Sequence, residues 1–168
     1  RLNTVCEEAR CPNIHDCWSS GDATFMIAGK ECTRGCRFCA VGTRRVPPPL
    51  DVDEPQHLAD AVASMNLRHA VITVVNRDDL EDSAADHYKQ CLAAVAERCP
   101  EVSLELLCSD LAGDLNDLAH LLDGSPLHVF AHNVECVPRL DSVVRDPRAS
   151  FGQSISILRE AKRLHPDM

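Results

Sequence analysis

Four apolar runs recur along the chain, and the stretches that follow them bring apolar residues back at helical spacing. The first run, Thr24-Phe25-Met26-Ile27, is short and closed by Gly29, the pattern of a buried strand. Ala70-Val71-Ile72-Thr73-Val74-Val75 is continuous and rich in β-branched residues, which predicts a strand buried on both faces. Residues 102–107 and 128–130 predict two more strands. Helices are predicted over 55–65 (Leu58, Ala61, Val62 and Met65 on one face), 83–98 (Tyr88, Cys91, Leu92, Val95), 114–122 and 151–164 (Ile155, Leu158, Ala161). Pro55 suits a first helical turn, with Asp53 or Glu54 as its cap.

Strand and helix thus alternate with a period of about 30 residues, the size of a βα unit. Such a repeat builds a parallel sheet with helical crossovers, either doubly wound or a barrel. Four units fall short of an eight-stranded barrel, so the chain reads as a small open α/β domain or as part of a larger one. Residues 1–23 lack periodicity and predict a loop, with turns at Pro12-Asn13 and Ser20-Gly21. Pro47-Pro48-Pro49 predicts an extended connector, and residues 164–168 read as the approach to a fifth strand.

At 168 residues the chain can bury one substantial core. Its net charge of −9 argues against a nucleic-acid or membrane-surface partner, because a phosphate-binding face needs a basic excess. No apolar run reaches the length of a membrane span, and no signal peptide is visible. The first residue is Arg1 rather than Met, which predicts a trimmed, processed or excerpted chain. The ten cysteines change the picture most. Six of them crowd into the first 39 residues, whereas a disulfide framework would spread its bridges along the chain. Metal handling in a reducing compartment is the better reading.

The densest motif is Cys32-Thr33-Arg34-Gly35-Cys36-Arg37-Phe38-Cys39, three thiols in C-x3-C-x2-C spacing just after the first predicted strand. Structural zinc takes four ligands, usually as two C-x2-C pairs, and here only Cys36 and Cys39 make such a pair. Three thiolates so close without a fourth favour an iron–sulfur cluster with one iron left open, zinc being the alternative. Cys6, Cys11 and Cys17 form a second triplet upstream.

In parallel α/β folds functional groups gather beyond the carboxyl ends of the strands. Each predicted strand is followed by such groups: the cysteine loop, Asn76-Arg77-Asp78-Asp79, Ser109-Asp110 and His132-Asn133-Val134-Glu135. Together they predict one site at one rim. Arg34, Arg37, Arg44 and Arg45 form a basic cluster, read as solvated surface, as an offset to cluster charge or as a contact for an acidic carrier. Cys91 lies on an apolar helical stripe and reads as core, His132 reads as structural, and Cys99, Cys108 and Cys136 lack ligand spacing.

C-x3-C-x2-C with an aromatic before the last cysteine resembles the radical S-adenosylmethionine (SAM) superfamily. The upstream Thr4-Val5-Cys6-Glu7-Glu8-Ala9-Arg10-Cys11-Pro12-Asn13-Ile14, continuing to Cys17-Trp18, resembles the lipoyl synthase family within it. The resemblance continues through Arg77-Asp78-Asp79-Leu80 and Ala131-His132-Asn133-Val134-Glu135. It implies a partial (β/α) TIM-like radical-SAM barrel whose closing strands are absent, spanning 24–168, behind an auxiliary-cluster extension at 1–23. It implies that Cys32, Cys36 and Cys39 hold a SAM-cleaving 4Fe-4S cluster, and that Cys6, Cys11 and Cys17 hold a second, sacrificed as sulfur donor. Phe38, Thr73, Asn76, Asn133 and Glu135 are the implied SAM contacts.

The implied reaction inserts sulfur at C6 and C8 of an octanoyl chain on a carrier lysine, giving the lipoyl cofactor. Implied partners are octanoylated carriers (the glycine-cleavage H protein and 2-oxoacid dehydrogenase E2 domains) and an electron donor of ferredoxin or flavodoxin type. Val144-Arg145-Asp146-Pro147-Arg148-Ala149 resembles the organellar eukaryotic members, which implies the mitochondrial matrix, with plastid or bacterial cytoplasm as alternatives.

Four departures fall near the implied SAM rim. Asn76 stands where the family usually has Asp, Asp82-Ser83-Ala84 replaces Asp-Gly-Gly, Ser109-Asp110-Leu111 replaces Pro-Asp-Phe, and Cys136 replaces Thr. The family's Arg-Ser-Ser-Tyr motif, whose serine completes the auxiliary cluster, is missing, so the chain is expected not to turn over alone. The alternatives are another radical-SAM enzyme with an auxiliary cluster, or a non-catalytic iron–sulfur or zinc-binding fragment.

Overall fold

The computed structural model describes residues 3–8 and 11–168. A five-stranded sheet runs in the order β1 (Asn3–Thr4), β2 (Asp22–Ile27), β5 (His69–Val74), β6 (Ser103–Leu107), β7 (Val129–Ala131). β1 is antiparallel to β2, and β2, β5, β6 and β7 are mutually parallel. Each parallel strand lies beside its predecessor with no reversal of order, so the sheet is singly wound. That is an arc of a barrel wall, the partial barrel implied by the resemblance, and it eliminates the doubly wound alternative.

The crossovers are α3 (Glu54–Ser64), α4 (Ala85–Arg98) and α5 (Leu115–Leu122), with α7 (Phe151–Leu164) after β7. Their apolar stripes cover one face of the sheet. Phe25, Ile72, Leu104 and Leu106 from the strands pack with Leu58, Tyr88, Leu92, Leu118 and Ile157 from the helices. The sheet is not buried on both faces as the β-branched run suggested. Along β5 and β6, Ala70, Ile72, Leu104 and Leu106 are buried, while Val71, Thr73, Glu105 and Leu107 are half-buried. Successive side chains point to opposite faces, and the crossover helices lie against one of them.

Local chemistry accounts for most of the helix boundaries. The Asp114 carboxylate accepts the Asn116 and Asp117 N–H groups, and Ser150 Oγ accepts that of Gln153. α4 begins at Ala85 rather than 83, because Ser83 (φ 51) and Ala84 (φ 70) are left-handed. Asp82 accepts the Ala84 and Asp86 N–H groups there. Neither Asp53 nor Glu54 caps α3 through its side chain. The Glu54 carboxylate instead accepts Ala28 N–H at 2.8 Å and meets His87 Nε2 at 2.6 Å, pinning α3 to the end of β2 and to α4. The buried stripe of α7 is Ser154, Ile157 and Ala161, one register from the expected Ile155, Leu158 and Ala161.

Two features depart from the expected loops. The N-terminal stretch carries α1 (Val5–Glu8) and α2 (Ile14–Ser19) as well as β1. The cysteine loop is held at its base by a second, two-stranded parallel sheet, β3 (Glu31–Cys32) with β4 (Gly42–Thr43). A short helix, α6 (Asp141–Val144), follows β7.

Candidate functional site

At the carboxyl ends of the parallel strands lies a cavity of about 270 Å³. The segment after each of the four strands contributes to its wall. Cys32, Cys36 and Cys39 come from the loop after β2, Asn76 from the segment after β5, Ser109 and Asp110 from that after β6, and Asn133 and Glu135 from that after β7. Phe38 and Thr73 line it too, so every residue named above as a SAM contact faces one space. Phe38 is half-exposed. Val5, the neighbour of Cys6, shares this wall with Met26 from β2.

The upstream thiols lie outside that lining. Cys11 N–H donates to the Cys6 carbonyl at 3.0 Å, and Cys17 sits exposed on α2. All six N-terminal cysteines are free thiols.

Charged groups brace the rim, and two of them, Arg34 and Asp110, also line the cavity. Arg34 is not part of a basic surface cluster: its side chain is buried and bonds Asp78 and Asp110, each at 2.6 Å. Burial opposes the Arg34 charge, but hydrogen bonds to the two carboxylates outweigh it and hold the guanidinium above its ordinary range. Burial would raise the Asp78 carboxyl, yet hydrogen bonds from Arg34 and Thr33 leave it below the usual carboxylate range. One buried cation therefore ties the loops after β2, β5 and β6 together.

Arg77 is likewise buried, holding Asp79 at 2.8 Å, the Ala28 carbonyl at 3.2 Å and the Pro48 carbonyl at 3.1 Å. Of the polar group after β5, Asn76 thus faces the cavity while Arg77, Asp78 and Asp79 fasten its wall. Arg37, Arg44 and Arg45 are exposed as expected, and Arg44 meets Glu31.

His132 is held at both ring nitrogens, Nδ1 to the Cys108 carbonyl at 2.9 Å and Nε2 to Ser154 Oγ at 3.0 Å. Burial lowers its pKa, in keeping with a positioning ring. Burial pushes the Cys36 thiol up, and the Cys108 thiol up to about 12. Cys91 is fully buried, as read.

The segment after α6 is what sequence reasoning missed. Arg145 lines the cavity with a buried side chain, and its Nε lacks a partner among the described residues. Val144-Arg145-Asp146-Pro147-Arg148 was legible only as a family resemblance, since nothing in its spacing marks a site.

The loop's donor set, three thiols without a fourth, fits a cluster with one open iron better than a four-ligand zinc site. Among the described residues, the trio whose ligand atoms all fall within 4.8 Å of one another is Glu54, His87 and Cys91, and its carboxylate is engaged by Ala28 and His87. The sulfurs of Cys32, Cys36 and Cys39 do not all fall within 4.8 Å of one another. The Arg145 guanidinium, part of the cavity lining, suits an anionic group there, such as a carboxylate.

Comparison with known proteins defines the class. Residues 26–167 match the radical SAM superfamily model, and the chain belongs to that superfamily. The superfamily's shared cofactors are a 4Fe-4S cluster and SAM. Within it, the chain is similar to lipoyl synthases, as the cysteine motifs indicated. It is 54% identical over 166 residues to the mitochondrial lipoyl synthase of Trypanosoma brucei gambiense, covering 94% of this chain and 40% of that protein. It is 50% identical to the mitochondrial enzyme of Homo sapiens, covering 99% of this chain and 46% of that protein. It is 51% identical to the lipoyl synthase of Halorhodospira halophila, covering 98% and 49%. The chain spans less than half the length of these relatives.

Proposed function

We propose that the chain is the cluster- and SAM-binding portion of a lipoyl synthase. The observation that carries this reading is the convergence of Cys32, Cys36 and Cys39 with Asn76, Asn133, Glu135 and Arg145 on one cavity, beside a separate set of three thiols. Residues 24–168 supply the barrel arc and residues 1–23 the auxiliary extension.

In this reading Cys32, Cys36 and Cys39 hold one 4Fe-4S cluster, and Cys6, Cys11 and Cys17 hold the second. When bound, the cofactors supply a 5′-deoxyadenosyl radical for hydrogen abstraction and sulfur for insertion at C6 and C8 of an octanoyl chain. The chain's own residues bind and orient. Arg145 and the Asn133 amide offer donors to the SAM carboxylate, Glu135 and Asn76 offer acceptors to its amino group and ribose, and Phe38 and Thr73 close the wall. The Arg34–Asp78–Asp110 brace keeps three loops in register, which a radical reaction needs because misplaced hydrogen abstraction has no acid–base correction.

The proposed substrates are octanoyl groups on carrier lysines of the glycine-cleavage H protein and 2-oxoacid dehydrogenase E2 domains. A ferredoxin or flavodoxin-type protein supplies the electrons. The mitochondrial matrix is the proposed location, supported by relatives named as mitochondrial, with plastid and bacterial cytoplasm as the alternatives. Four parallel strands leave the inner face of the arc open, so these 168 residues alone are expected not to convert octanoyl to lipoyl.

The test is anaerobic reconstitution with iron and sulfide, followed by metal analysis and measurement of 5′-deoxyadenosine under reducing conditions. About eight irons per chain support two clusters. Zinc with no visible chromophore overturns the reading.

A further inference from the structure

The cysteine loop is gripped from outside by a segment more than a hundred residues away in sequence. Gly35 N–H donates to Asp146 Oδ2 at 3.0 Å, and Arg37 N–H to the Val144 carbonyl at 2.8 Å. Arg148 Nη2 donates to the Thr33 carbonyl at 2.6 Å, while its Nη1 lies 3.3 Å from Asp78. Arg148 also turns back on Asp146, Nε to Oδ1 at 2.9 Å, and that hydrogen bond keeps the Asp146 carboxyl well below the usual range. In return the Asp146 N–H points at Cys36 Sγ, 3.3 Å away. Three backbone groups of the loop and one of its sulfurs are therefore fixed by one short stretch.

We propose that Asp146 and Arg148 form a latch whose N–H···S contact at Cys36 sets how readily the loop's cluster accepts an electron. This rests on the reading above that the loop holds a 4Fe-4S cluster. One-electron reduction by an external low-potential donor adds negative charge, part of it on the cysteine sulfurs. An N–H donor stabilises that added charge, so hydrogen bonds to sulfur raise the reduction potential. The side chains act here as positioning groups, because the donor is backbone and moves with the segment that Asp146 and Arg148 hold in place.

Charge and position make opposite predictions, which allows a decisive test. Removing the Asp146 carboxylate takes negative charge away and, by charge alone, makes reduction easier. If the latch works through the Asp146 N–H, Asp146→Ala makes reduction harder.

The full chain carrying Cys6→Ala, Cys11→Ala and Cys17→Ala, so that only the loop thiols can hold a cluster, serves as the parent. It is reconstituted anaerobically with iron and sulfide and poised where half the cluster is reduced, and the reduced fraction is read by electron paramagnetic resonance. The ratio of reduced to oxidised cluster is expected to fall about three- to tenfold in Asp146→Ala, the equilibrium worth of one hydrogen bond. Arg148→Lys keeps the charge but loses the planar fork, and is expected to fall in the same direction. Asp146→Asn loses the same charge as Asp146→Ala yet keeps an acceptor for Gly35, and is expected to return to the parent level or above. A reduced-to-oxidised ratio in Asp146→Ala at or above the parent's overturns the latch. A parent that takes up no four-iron cluster overturns the cluster reading beneath it.

Discussion

Replacing Arg34 by methionine keeps most of the side-chain volume and removes the guanidinium between Asp78 and Asp110. The two carboxylates then fare differently. Asp78 retains Arg148 at 3.3 Å and the Asp78 main chain still donates to Thr33 Oγ1. Asp110, whose side chain is 2% exposed, keeps the Ala112 N–H at 3.2 Å and loses its cation. Breaking a buried pair from one side costs about 3–5 kcal/mol, because the remaining charge stays desolvated. For a chain of this size that is a fall in Tm of roughly 6–20 °C.

The pH dependence follows from Asp78, whose carboxyl is held below its ordinary value in the folded protein. A depressed folded pKa stabilises above the unfolded carboxylate value, about 4, and the gain disappears as pH falls through the folded pKa. The variant lacks the largest part of this gain, the part that Arg34 supplies. The gap between parent and Arg34→Met is therefore widest near pH 7 and narrows below about pH 4. Urea titrations followed by circular dichroism at pH 7 and pH 3.5 measure both quantities. Changing Asp78 and Asp110 to leucine in the Arg34→Met background should recover much of the loss, since an apolar trio of similar volume strands no charge. A stability loss of under about 1 kcal/mol at pH 7, or a gap that does not narrow in acid, refutes the buried-brace account.

Three further outcomes are expected. Ser83→Gly should stabilise the protein by about 0.5–1 kcal/mol in the same titrations, because Ser83 holds a left-handed φ of 51 that glycine adopts without strain. Glu135→Ala and Asn133→Ala should each weaken SAM binding about tenfold by calorimetry on the reconstituted protein, the worth of one charge-assisted hydrogen bond. Cys91→Ala should leave the iron count unchanged while Cys32→Ala lowers it by about four, because Cys91 is packed in the core and Cys32 faces the cavity.

The sequence carried the layered plan well because the plan is periodic. Apolar runs near residues 24, 70, 103 and 129 became the parallel strands, and the stripe containing Leu58 and Val62 packs against that containing Tyr88 and Leu92. The singly wound order was not written in periodicity, since both α/β windings share the same βα repeat. It took strand pairing, or the cysteine motifs, to choose.

At the site, the polar residues after each strand were visible, but their division of labour was not. Asn76 and Arg77 are adjacent in sequence, yet one faces the cavity and the other turns behind it to the Ala28 and Pro48 carbonyls. Arg34 read as one of four clustered arginines, with no sign of a buried ion pair, because its acidic partners are 44 and 76 residues away. The left-handed turn at Ser83 and Ala84 was marked only through the family's Asp-Gly-Gly, since this chain has no glycine there.

The distance between loop and latch also orders events during synthesis. The thiols of Cys32, Cys36 and Cys39 are made well before the segment that holds them, since the Gly35–Asp146 bond spans 111 residues. At ribosomal rates of about 5–20 residues per second, the loop waits roughly 5–20 seconds for its clasp. During that interval the nascent thiols are open to oxidation and to stray metal. The final geometry of the loop arrives only after Asp146 and Arg148 have folded onto it, so the site is shaped by that later segment rather than by the emergence of its thiols.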